Sequence, residues 1–149
     1  MVTDAITANT GALEELSRLL RTASTLLDKR IGERLDGISV AQWHALAALS
    51  SGELLSMSAL QTATQLSGAS LTRLIDGMVD ANLALRKVGD VDRRHVLVAA
   101  TRRGLAAYRQ HREQLEALGA EVSGEATARL ADDLKDVLAQ LSSPQPLSS

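Results

Sequence analysis

Thirteen residues near the middle of the chain concentrate its anion-binding chemistry: Arg86-Lys87-Val88-Gly89-Asp90-Val91-Asp92-Arg93-Arg94-His95-Val96-Leu97-Val98. One basic pair closes a short apolar run, a Gly/Asp turn follows, and a second basic pair opens a β-branched run. This spacing predicts a β-hairpin with a cationic tip. Long cations at such a tip suit a phosphate polyanion, because arginines beside a turn enter a narrow minor groove. Asp90 and Asp92 oppose that charge, and one of them is expected to aim an arginine through a charge-assisted bond. The plainer alternative is a surface hairpin with ordinary ion pairs, each worth about 0–1 kcal/mol.

The charge distribution weighs between the two. The 149 residues carry a net charge of −2. Residues 73–112 nevertheless hold nine Lys/Arg against four Asp, a local balance of +5, and the rest of the chain carries −7. One anion-facing region on an acidic body fits that split. Cysteine is absent, which removes disulfides, thiolate zinc sites and thiol redox sensing and suits the cytoplasm. No run approaches the ~20 apolar residues of a membrane span. Met1–Thr10 lacks the basic and apolar regions of a secretory signal, so a cytoplasmic location with no membrane partner is expected.

The hairpin needs elements to hold it, and the rest of the chain reads as helical. Leu13, Leu16, Leu20, Leu27 and Ile31 recur at three-, four- and seven-residue spacings, predicting a long amphipathic helix over about 10–35. Ser39-Val40-Ala41-Gln42 is a capping box opening a second helix to about Ser50. Ser56 or Ser58 opens a short third helix through Thr64. After a Leu66-Ser67-Gly68 turn, a fourth runs from about Ala69 to Ala81 with Leu71, Leu74, Ile75 and Met78 inward. Asn82 fits the left-handed residue that ends it. Residues 83–88 and 95–100 are the hairpin strands. Thr101 caps a fifth helix over about 102–122, and a sixth spans about 124–141. The terminal helices carry apolar stripes that the middle of the chain does not cover, so a homodimer is expected.

A helix-turn-helix needs a small residue at its turn and polar side chains at the start of its second helix. The third and fourth helices meet both conditions. Ser67, Ser70, Thr72, Arg73 and Asp76 then point outward, because Leu71, Leu74 and Ile75 point inward. Ser and Thr bond to phosphates or several bases, whereas Arg makes the bidentate contact to guanine. Arg73 is the strongest reader in this set. The alternative is the ordinary polar face of a solvated helix.

Residues 39–104 resemble the multiple-antibiotic-resistance-type (MarR) transcriptional regulators. The matching segments are Ser39-Val-Ala-Gln-Trp-His-Ala-Leu-Ala-Ala-Leu49, Leu66-Ser-Gly-Ala-Ser-Leu-Thr-Arg-Leu-Ile-Asp-Gly-Met78 and Asp90-Val-Asp-Arg-Arg-His-Val-Leu-Val-Ala-Ala-Thr-Arg-Arg-Gly104. The last is the most specific, an Asp-x-Asp-Arg-Arg wing followed by a strand and a Thr-x-x-Gly helix start. The resemblance implies a mainly α winged helix-turn-helix fold, ordered α-α-α-α-β-β-α-α, that forms an intertwined dimer through its terminal helices. It implies DNA contacts from Ser67, Ser70, Thr72 and Arg73 on the recognition helix and from Arg86, Arg93 and Arg94 on the wing, with Asp92 bracing an arginine. Departures from the pattern are Asn82 where Gly is usual, Gly77 inside the recognition helix and Ala100 where Leu is common.

The same resemblance implies a small aromatic or phenolic effector. Trp43 offers a stacking face, His44 a polar tip and Arg18 or Arg21 a carboxylate partner. Against this, the stronger reading of Trp43 is a core anchor, since a large ring buries much apolar area. No cofactor or metal site is expected, since His44, His95 and His111 lack metal spacing. No catalytic constellation or phosphate-binding loop marks an enzyme. The expected organisation is a dimerisation helix over 1–36, a DNA-binding domain over 37–101, dimerisation helices over 102–141 and a disordered tail over 142–149. The expected function is a ligand-responsive repressor binding a pseudo-palindromic double-stranded DNA operator as a homodimer. The competing reading is a winged-helix interaction scaffold without specific DNA binding.

Overall fold

The computed structural model describes residues 2–89 and 95–143, with the side chains of residues 2–9 left aside. Asp92, Arg93, Arg94 and nearly all of the 142–149 tail therefore lie outside the described residues. The order is α1 (Val2–Gly32), α2 (Val40–Leu49), β1 (Leu55–Ser56), α3 (Met57–Thr64), α4 (Gly68–Asp80), β2 (Ala84–Val88), β3 (Val96–Ala100), α5 (Arg102–Val122) and α6 (Glu125–Ser142). The chain divides into two compact units, 1–114 and 115–149.

Local chemistry sets the helix ends. Ser39 and Gln42 form the reciprocal capping box that the sequence predicts, with Gln42 N–H donating to Ser39 Oγ at 3.1 Å and Ser39 N–H to Gln42 Oε1 at 2.9 Å. Ser56, rather than Ser58, caps α3 by accepting from Ala59 N–H. Thr101 accepts from Gly104 N–H at 3.0 Å and donates its hydroxyl proton to Asn82 O at 2.6 Å. Asn82 is left-handed, φ 58°. Leu83 N–H reaches Met78 O and Asn82 N–H reaches Val79 O, at 2.8 and 2.9 Å. This pair of bonds is a Schellman closure, which satisfies carbonyls that the end of α4 would otherwise leave orphaned.

Two expectations needed adjustment. α1 begins at Val2 rather than near residue 10, since no proline stands before residue 10 to stop the helix from extending. The sheet has three antiparallel strands, ordered β1-β3-β2, so the hairpin gains an edge strand. Leu55 pairs with Val98 and Ser56 with Leu97, a partnership across more than forty residues that no local pattern announces.

The core joins α2, α3, α4 and the sheet. Leu46, Leu49, Leu60, Ile75, Met78 and Val98 are fully buried, with Leu71 and Ala84 nearly so. On α4 the buried positions are 71, 75 and 78, spaced four and three apart, so one stripe faces inward and the opposite face is free. Gly104 makes the tightest approach: a Cβ there would stand 2.0 Å from Leu83 O. Only glycine lets the start of α5 lie against the chain leaving α4.

Candidate nucleic-acid interface

α4 is anchored on one side and open on the other. Leu71, Ile75 and Met78 lock it to the core, while Ser67, Thr72, Arg73 and Asp76 are exposed and Ser70 is half-buried. The structure thus brings Ser67, Ser70, Thr72 and Arg73 together at the N-terminal end of one helix. Ser67 stands at the N-cap without a side-chain capping bond; its hydroxyl donates to Ser70 Oγ at 3.1 Å. Thr72 donates to Gly68 O at 3.0 Å and Arg73 Nε–H to Ala69 O at 3.4 Å. These bonds are local, so the guanidinium of Arg73 keeps its remaining donors for an outside acceptor.

α3 contributes a polar surface that the sequence reading did not single out. Ser58, Gln61, Thr62 and Gln65 fall at i, i+3, i+4 and i+7 and line a cleft of about 560 Å³ with Leu66 and Ser67. The signal was present: these positions are the helical complement of the buried Leu60. Gln65 is left-handed, φ 57°, which lets the chain reverse from α3 into α4 within three residues.

The wing is half described. Its register sets Arg86 opposite Val98, Lys87 opposite Leu97 and Val88 opposite Val96. Directly opposed residues share a face, so Arg86 lies on the side of the fully buried Val98 and Lys87 on the other. Arg86 Nη2 reaches Asp76 Oδ1 on α4 at 2.6 Å. Lys87 is exposed and makes no ion pair among the described residues, which adds it to the cationic set. Gly89 N–H donates to His95 O at 3.0 Å, closing the base of the wing.

The residues expected to serve an effector are dispersed among partners. Trp43, half-buried on α2, stacks on Tyr108 of α5 with centroids 4.8 Å apart and planes 21° apart. His44 Nε2 lies 3.3 Å from Asp28 Oδ1, joining α2 to α1. Arg18 is bonded to Glu15 at 2.7 Å; the guanidinium holds the Glu15 carboxyl below its ordinary range, and Glu15 raises Arg18 in turn. Arg21 is exposed on α1. A separate cleft of about 380 Å³ lies at the end of α4, lined by Ala81, Leu83, Arg103, Gln110 and the buried His111 among others. Among the described residues no group of three or more His, Asp or Glu is placed to hold a metal ion. Among the described residues no helix is long and apolar enough to cross a membrane.

The sequence profile of the MarR family matches residues 36–95. No curated protein matches the sequence. Among solved structures, a mutant E. coli MarR complexed with operator DNA is similar at 25% identity and TM-score 0.70, over 83% of this chain and 93% of that one. BldR from Sulfolobus solfataricus is similar at 24% identity and TM-score 0.73, over 86% and 97%. Bordetella bronchiseptica BpsR, described for regulation of its DNA binding by 6-hydroxynicotinic acid, is similar at 23% identity and TM-score 0.67, over 87% and 99%.

Proposed function

We propose that this chain, a member of the MarR family of winged-helix transcription regulators, binds a pseudo-palindromic double-stranded DNA operator as a homodimer and responds to a small effector. The observation that carries the reading is the presentation of α4: its inward stripe is fully buried while Ser67, Thr72 and Arg73 stand exposed at its N-terminal end. A rigid helix with polar residues at its leading end is what insertion into a major groove requires. Arg73 reads a guanine edge, the serines and Thr72 contact phosphates or neighbouring bases, and Arg93, Arg94 and Lys87 neutralise the backbone beside the wing. The two recognition helices of a dimer meet half-sites about 10–10.5 bp apart.

Exposed apolar surface supports the dimer. Leu13 and Leu26 on α1 are 60% and 58% exposed, and Leu138 on α6 is 60% exposed. Stripes of this kind mark protein contacts. Repression follows when the operator overlaps a promoter. An effector acid at Trp43 and His44 competes with Asp28 for His44, so its binding loosens a contact between α1 and α2.

The test is capture of genomic fragments by the purified protein, followed by footprinting. Selection of one palindromic class supports specific binding, whereas failure to enrich any fragment leaves the scaffold reading. On the captured site, Arg73→Ala should lose about 1–3 kcal/mol and relax preference at one base pair. Uniform weakening on all sequences would make Arg73 a phosphate contact.

A further inference from the structure

Arg86 and Asp76 sit on different elements, and their pairing has a consequence for how the two halves of the interface are held. Asp76 follows Thr72 by four residues and Arg73 by three, so the three share one face of α4. A carboxylate on that face repels phosphate. Its charge is met by Arg86, with Nη2 and Oδ1 2.6 Å apart and side chains 33% and 53% exposed. Arg86 reaches it because the strand pairing puts residue 86 on the same face as Ala84 and Val98, which are 2% and 0% exposed. The aliphatic stem lies on the core side of the sheet and the head emerges beside α4.

Between the two residues the chain makes the Schellman closure at Asn82 and Leu83. α4 and β2 are therefore joined three times, by the shared core of Ile75, Met78 and Ala84, by the turn, and by the ion pair one to two helical turns back from it. The core and the turn hold the buried side of α4. The ion pair holds its exposed edge. An exposed pair of this kind adds little to global stability; its value lies in direction.

We infer that Asp76 and Arg86 form a strut that sets the angle between the recognition helix and the wing, so that Arg86 is a positioning residue and not a phosphate contact. The strut makes simultaneous docking of α4 and the wing possible without reordering either. The inference rests on the DNA-binding reading, and its test separates the two.

Affinity for a captured fragment is measured across a salt series for wild type, Asp76→Asn, Arg86→Gln and the double variant. The strut requires each single variant to weaken binding, roughly three- to tenfold, and the double variant to be no worse than either, since both break one coupling. The salt slope stays at the wild-type value, because no phosphate contact is lost. Were Arg86 a phosphate contact, Asp76→Asn would tighten binding by removing repulsion, and Arg86→Gln would reduce the slope by about 0.9. Either result overturns the inference. Failure of the wild type to capture any fragment removes the DNA-binding reading but leaves a second readout. In Asp76→Asn, exchange of the Gly89 amide, bonded to His95 O, should quicken as the wing loosens while the melting temperature stays near wild type. Unchanged exchange sinks the strut without reference to DNA.

Discussion

The lobe formed by α2, α3, α4 and the sheet and the helix α1 are built from the same leucines, yet they treat them oppositely. In the lobe, Leu46, Leu49 and Leu60 are fully buried. Along α1, Leu13, Leu19, Leu20, Leu26 and Leu27 are all exposed by a third or more. α6, in the other unit, behaves like α1, with Leu130, Leu138 and Leu141 exposed. The difference is one of geometry. α2 and α4 are short and cross a sheet, so one stripe finds a complete partner within the chain. α1 runs for 31 residues, longer than anything its own lobe offers, and much of its stripe stays exposed.

The contrast can be broken most directly on α1. Leu20→Lys with Leu27→Lys should convert a dimer to a monomer by sedimentation, because each leucine taken out of an interface forfeits about 1.5–3 kcal/mol and a dimer loses four. A variant that sediments with the wild type would show that these residues serve some other contact. The lobe should respond to a smaller change, and in the opposite sense. Leu46→Ala should lower folding stability by about 2–5 kcal/mol in chemical denaturation, since it leaves a cavity in a closed core. It should leave the association state of the folded protein unchanged. A loss below about 1 kcal/mol would mean that the core collapses around the gap.

The smallest change tests the turn between α4 and β2. Asn82 holds φ 58°, where Ala is strained by about 1–2 kcal/mol and Gly is not. Asn82→Ala should therefore reduce the unfolding free energy by about 1 kcal/mol, while Asn82→Gly stays within a few tenths of the wild type. Equal behaviour of the two variants would argue that the closure at Leu83, and not the conformation of residue 82, stops α4.

Much of this was legible beforehand, and for an identifiable reason. The capping box at Ser39 and Gln42, the Thr101 cap and the left-handed Asn82 depend on bonds spanning no more than a few residues. The inward stripe of α4 depends only on helical period. Residues 67, 70, 72 and 73 follow from that stripe by elimination. The polar stripe of α3 follows from the same helical period, opposite the buried Leu60. Arg86 illustrates the other limit. Its sequence neighbours are Lys87 and the wing, so it reads as one more cation of the hairpin. Its actual partner, Asp76, lies ten residues back in another element.

The sequence by itself determined where the capped helices α2, α4 and α5 lie, which face of each helix is apolar and where positive charge accumulates, because these are set by contacts between near neighbours. Tertiary structure decided the pairings between distant segments. It gave Leu55 a strand partner at Val98, set Arg86 against Asp76 and left Lys87 on the open side of the wing. It also fixed Gly104 against the Leu83 carbonyl. These depend on strand register and helix crossing, where a shift of one residue reverses which face a side chain occupies, and no local run of residues encodes the choice.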